Sequence, residues 1–112
     1  MLDKMYIAVL DEFPDFMVPT LVAHSVLNAH LVFQNEEPYK DWLQNSFRKC
    51  VLRVSQKEFD KIAKLDSPIS EGFELHTLGG KVSCLVVMPD ASEEVPNVLK
   101  FAKLWKPQNK YI

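Results

Sequence analysis

A chain of 112 residues, 47% apolar and 25% charged, has room for one domain with one core and too little length for two. Its 13 basic and 15 acidic side chains leave a net charge of −2, which gives no general attraction for nucleic acid or an anionic membrane. The charge is unevenly placed: residues 1–39 carry one lysine against six acids, whereas Lys100, Lys103, Lys106 and Lys110 crowd an acid-free C-terminal stretch.

"MYIAVL", residues 5–10, reads as an interior strand bounded by Asp11, Glu12 and Pro14. The loop "DEFPDFMV" follows. Pro19 then suits the first turn of a helix running to Phe33, with Val22, Val26, Ala29 and Phe33 as its inward stripe and Ala23, Leu27 and His30 widening it. Leu21 and Leu31 lie off that stripe, which predicts cover on more than one side. "PYKDWLQNS" is predicted as a short second helix with Tyr39, Trp42 and Leu43 inward, and "FRKCVLRV" as a second strand with Cys50, Leu52 and Val54 on one face and Val51 and Arg53 on the other.

"SQKEFDKIAKL" opens with Ser55 and Glu58 spaced as a capping box ahead of Phe59, Ile62 and Ala63, a third helix. "DSPISEG" reads as a connector. "FELHTLGGKVSCLVVMP" reads as a hairpin, with a strand from Phe73 to Thr77, a Gly79–Gly80 turn and a strand ending at Val87. Val95, Val98, Leu99, Ala102 and Trp105 recur at helical spacing and predict a C-terminal amphipathic helix. Cys50 and Cys84 sit in apolar runs and read as buried thiols. No unbroken apolar run reaches membrane-spanning length and no signal-peptide pattern opens the chain, so it reads as cytoplasmic.

The predicted order, β-α-α-β-α-β-β-α, implies an α/β fold: one domain over residues 1–112, three-layered, with a four-stranded mixed sheet and helices on both faces.

The step from "MYIAVLDEF" to "VPTLVAHSVLNAHLVF" resembles the second class of peptidyl-tRNA hydrolases, found in archaea and eukaryotes, and a related set of small bacterial proteins of that fold. Asp11 matches the acid at that family's first strand end, and Ala23–Ser25 falls where its first helix has x-H-A. "KCVLRV" and "GKVSCLVVMP" are similar to its second and closing strands. The resemblance spans nearly the whole chain at the level of pattern. The departures fall on the chemistry. The lysines of the family's G-K-G-K loop correspond to Asp15 and Met17, and its R-D-A-G-R-T-Q segment corresponds to "FELHTLGGK", where Lys81 is the only cation. Cleaving an ester from tRNA needs a positioned water, a polarising group and cations for phosphate. An acid at position 15 works against the last of these.

Asp11, Asp15 and His24 can converge as an acid–imidazole base, with Lys81 to hold phosphate; the plainer reading makes the acids caps or turn acceptors. His24 and His30 are six apart on a helix and point in different directions, and with His76 they lack zinc spacing, so no metal or cofactor is expected. Phe13, Phe16, Met17 and Thr20 lie at the C-terminal edge of the first strand, the usual ligand edge of such sheets. Phe13, Phe16 and Met17 there serve either to plug a former cleft or to present a surface to a protein. With His76, Lys100 and Lys103 they form the predicted binding surface. The leading expectation is a non-catalytic binding or regulatory protein that meets a protein partner or itself. The alternatives are a divergent hydrolase of peptidyl-tRNA or a related substrate, and a tRNA- or RNA-binding module that has lost the chemistry.

Overall fold

The computed structural model describes residues 1–74 and 80–108. His76 and the Gly79 half of the predicted turn fall outside them.

The chain begins with β1 (Met5–Leu10), a 3₁₀ turn over Asp15–Met17, and α1 (Val18–Phe33). Next come α2 (Glu37–Asn45), β2 (Lys49–Val54), α3 (Gln56–Ala63), β3 (Ile69–Glu74) and β4 (Lys81–Val87). A single turn, α4 (Asn97–Lys100), and a two-residue strand, β5 (Lys103–Leu104), end the described chain. The strands form one mixed sheet in the order β3-β4-β1-β2-β5. β1 runs parallel to β2 and antiparallel to β4, and β5 runs antiparallel to β2. The expected four strands are therefore five.

Register and pleat explain the layering. Val9 pairs with both Arg53 and Cys84, and Ala8 with both Leu52 and Leu85, so these two sets point to opposite faces. The first crossover runs from β1 to β2, and the second returns across β1 and β4 to β3. Right-handed crossovers taken in opposite directions put their helices on opposite faces. Accordingly α1 packs on β3 and β4, where Ser25 meets Cys84. Ala8, Leu52 and Leu85, all fully buried, leave the other face to α3, which buries Phe59 and Ile62 against β1, β2 and β4. The capping box is present: Glu58 N–H donates to Ser55 Oγ, and Ser55 N–H donates to Glu58 Oε1.

The buried side of α1 differs from the predicted stripe. Val18, Leu21, Ser25, Ala29 and Phe33 are buried, while Ala23, Leu27 and Leu31 are exposed. The helix is rotated because Ser25 seats against Gly72 of β3 and Asn28 Nδ2 donates to Glu71 O at 3.1 Å and to Ser70 Oγ at 3.2 Å. For the same reason β3 starts four residues earlier than predicted, at Ile69: small Ser70 and Gly72 let the helix come close, and the strand pairs from Ile69–Val87 onward. Leu43, expected inward, is 37% exposed, because Tyr39 and Trp42 alone fill the inner side of α2. The stretch Asp15–Phe33 is long and apolar enough to cross a membrane by length and composition, although Thr20, His24, Ser25 and Asn28 interrupt it. Core helices pass the same test, and this one is pinned to β3 by two of those polar side chains.

The predicted C-terminal helix is largely absent. Leu99 is buried and Val95, Val98, Ala102 and Trp105 pack against the core, but after Lys100 the chain extends along the open edge of β2. Trp105 N–H donates to Val51 O at 2.9 Å. A strand edge offering unpaired backbone groups outcompetes one further helical turn.

Candidate functional site

Asp11 directly follows β1, and its N–H donates to Val54 O at the end of β2. Arg53, one residue before that end, shares the α1 face of the sheet but lies near its rim. Its guanidinium donates from Nη1 to Asp11 Oδ1 at 2.9 Å and from Nη2 to Asp15 Oδ1 at 3.2 Å. The same Nη2 donates to Lys106 O at 2.7 Å, and the Trp105 ring lies beneath the guanidinium, 5.1 Å from centroid to Cζ. Gln108 N–H donates to the second oxygen of Asp15 at 2.6 Å. The last described residues therefore strap the crevice between loop and sheet. Its walls come from Asp11 to Phe16, Arg53 and Gln108, and it encloses about 430 Å³.

The electrostatics follow from burial. The Arg53 side chain is only 12% exposed, against 47% for Asp11 and 28% for Asp15. Burial by itself would lower the guanidinium pKa, but hydrogen bonds and charge from Asp11 and Asp15 outweigh it and leave the pKa raised. One permanent cation thus serves two carboxylates. Trp105 Nε1 is buried without a hydrogen-bond partner among the described residues.

The sequence-predicted residues divide. Asp11 and Asp15 are brought together, on Arg53. His24 is exposed on α1 and does not line this crevice, and Thr20 is exposed too. Lys81 forms an ion pair with Glu12 and lies 5.8 Å from the centroid of Phe13. The apolar trio has three environments: Phe13 is 9% exposed and belongs to the core, Met17 packs against the core, and Phe16 is 82% exposed on the rim. Lys100 and Lys103 are exposed, the first 5.6 Å from the Phe101 centroid and the second paired with Arg53 across β5 and β2. Without the predicted helix they do not form one helical face. Among the described residues, no group of three or more His, Cys, Asp or Glu is arranged to hold a metal ion.

Arg53 is the residue that sequence reasoning missed as part of the site. Its signal was available: an arginine inside a buried strand requires a partner, and the chain end of β1 carries acids at the matching level. Gln108 acts through its backbone and left no side-chain signal. No protein-family model matches the chain, and no curated protein matches it.

Proposed function

We propose that the chain is a small cytoplasmic, non-catalytic binding or regulatory protein on a second-class peptidyl-tRNA hydrolase-like fold. The parallel β1–β2 pair, the antiparallel β4 beside β1 and the two crossovers support that fold reading beside the sequence resemblance.

The observation that carries the functional reading is the Arg53 guanidinium held between Asp11 and Asp15. A general base must have its carboxylate within reach of a water that it can deprotonate. Asp15 instead accepts from Arg53 on one oxygen and from Gln108 N–H on the other. The rim adds Glu12, paired with Lys81, so three carboxylates stand against two cations, an excess of negative charge that works against tRNA phosphate. Phe16, exposed beside this crevice of paired charges, suits contact with a protein surface or a second copy.

The test is incubation of the full chain with peptidyl-tRNA, following release of the peptide from the tRNA. The reading expects no release above the protein-free blank. Turnover that disappears in Asp15→Asn would overturn it.

A further inference from the structure

At the other end of the sheet, where β2 begins, α1 and α2 flank a groove of about 420 Å³ with almost wholly carbon walls. That volume is within the roughly 300–1,000 Å³ of small-molecule sites, which are apolar with a few placed polar groups. Leu27 is 63% exposed and Leu43 37% exposed on its two helices, and Trp42 lies between them in its lining.

Phe47 closes one end in a way that core packing does not explain. It has φ 64°, in the left-handed region, one residue past the Ser46 cap of α2. Its N–H donates to Trp42 O at 2.8 Å. Glycine is the usual residue at that position because a side chain there is strained. Phe47 carries the strain while remaining 57% exposed, so burial returns little. What the conformation secures is the ring's place: it stacks on Trp42 at 5.7 Å and 27°, with the Lys49 ammonium 3.3 Å from its centroid. The left-handed backbone ends α2, and a phenylalanine kept there in place of glycine points to a use for its ring.

Lys49 is the only lysine or arginine among the described lining residues. It lies 5.3 Å from the Trp42 centroid and donates to Phe47 O at 2.9 Å, with ammonium protons left for an acceptor. Burial pushes its pKa down, so a bound anion would favour its charged form. Across the groove, His30 Nδ1 of α1 and Tyr39 Oη of α2 share a hydrogen bond at 2.8 Å.

We propose that this groove binds a single-chain aliphatic carboxylate, with the alkyl chain between α1 and α2 and the carboxylate on the Lys49 ammonium. One cation at one end of a carbon-walled groove fits a ligand with one anionic end. An extended peptide would bring a row of amides that these walls leave unpaired, and an alkyl amine would meet the lysine's own charge. This site is separate from the β1 crevice, and it stands or falls independently of the hydrolysis test.

The experiment is an amide NMR titration of the labelled full chain with decanoate, kept below micelle formation. Saturable shifts are expected at Leu27, Leu43, Phe47 and Lys49, with affinity rising about threefold per methylene from hexanoate to decanoate. Decanol should bind at least about threefold more weakly than decanoate, and decylamine more weakly still. Phe47→Gly, which suits the left-handed backbone, should keep the fold and weaken decanoate binding about tenfold. Lys49→Gln should abolish the preference for decanoate over decanol. Shifts gathering elsewhere, equal binding of decanol, or an undiminished preference in Lys49→Gln would overturn the proposal.

Discussion

Ser25 of α1 occupies the space that a side chain on Gly72 of β3 would need. A Cβ at Gly72 would lie 1.8 Å from Ser25 Oγ, 2.6 Å from its Cβ and 3.1 Å from its Cα. Rotating the serine side chain relieves only the first of these contacts, so the helix itself must retreat. That retreat would also stretch the Asn28 hydrogen bonds to Ser70 and Glu71.

Gly72→Ala is accordingly expected to destabilise the protein by about 3 kcal/mol, at the upper end of overpacking costs. Urea denaturation measures it. The double variant Gly72→Ala/Ser25→Gly should recover part of the loss, since it reopens the space from the other side. A Gly72→Ala variant as stable as the parent would show that α1 does not sit this close.

The crevice makes a second prediction. Arg53→Met leaves Asp11 and Asp15 side by side without their cation, removes a donor from Lys106 O and leaves the Trp105 ring without its guanidinium. A loss of about 2 kcal/mol is expected, below the cost of breaking a fully buried pair because both acids are partly exposed. Asp11→Asn should cost less than about 1 kcal/mol. Hydrogen exchange should also rise at the Gln108 amide in Arg53→Met, because the strap loses its Arg53 contacts at Lys106 O and Trp105. Equal urea midpoints for parent and Arg53→Met would contradict the assignment of Arg53 as the organising residue.

Cys84 supplies a pH dependence. Its thiol is fully buried, and burial pushes its pKa up despite hydrogen bonding from Ser25 and Ser83. The folded state therefore keeps a proton that the unfolded thiol releases near its ordinary value of 9.0. The resulting stability is complete below that value and is lost as pH rises towards the folded pKa. Stability should fall as pH rises above about 9, and Cys84→Ala should fall less over the same interval. Parallel curves for the two proteins would contradict the protonated, buried thiol.

Much of the fold was legible because it is local. β1 and β2 are apolar runs bounded by polar residues, and Ser55-x-x-Glu58 is a capping box both in sequence and in space. What was misread depended on distant partners. Val95, Val98, Leu99, Ala102 and Trp105 pack inward as their spacing implied, yet the last of them follow a strand rather than a helix. Apolar periodicity marks which residues turn inward, but it carries no information about the open edge of β2 that captures Lys103 and Leu104. Similarly, Ser70 and Gly72 look like turn residues until α1 is placed against them. Of the site, the acids and the loop were readable. Arg53 was signalled only as an arginine inside an apolar strand; its partners and the strap were not readable, because their pairing joins residues 38 to 93 positions apart.

The central proposal is that the β1 crevice, with three carboxylates against two cations, does not take tRNA. Its most direct test is an amide NMR titration of the labelled chain with a tRNA acceptor-stem mimic, at about 50 mM and then about 200 mM salt. The account predicts no shifts at Asp11 to His24 or around Lys81, even at near-millimolar RNA. Shifts gathered there that weaken as salt rises would contradict it and return the RNA-binding surface to this fold.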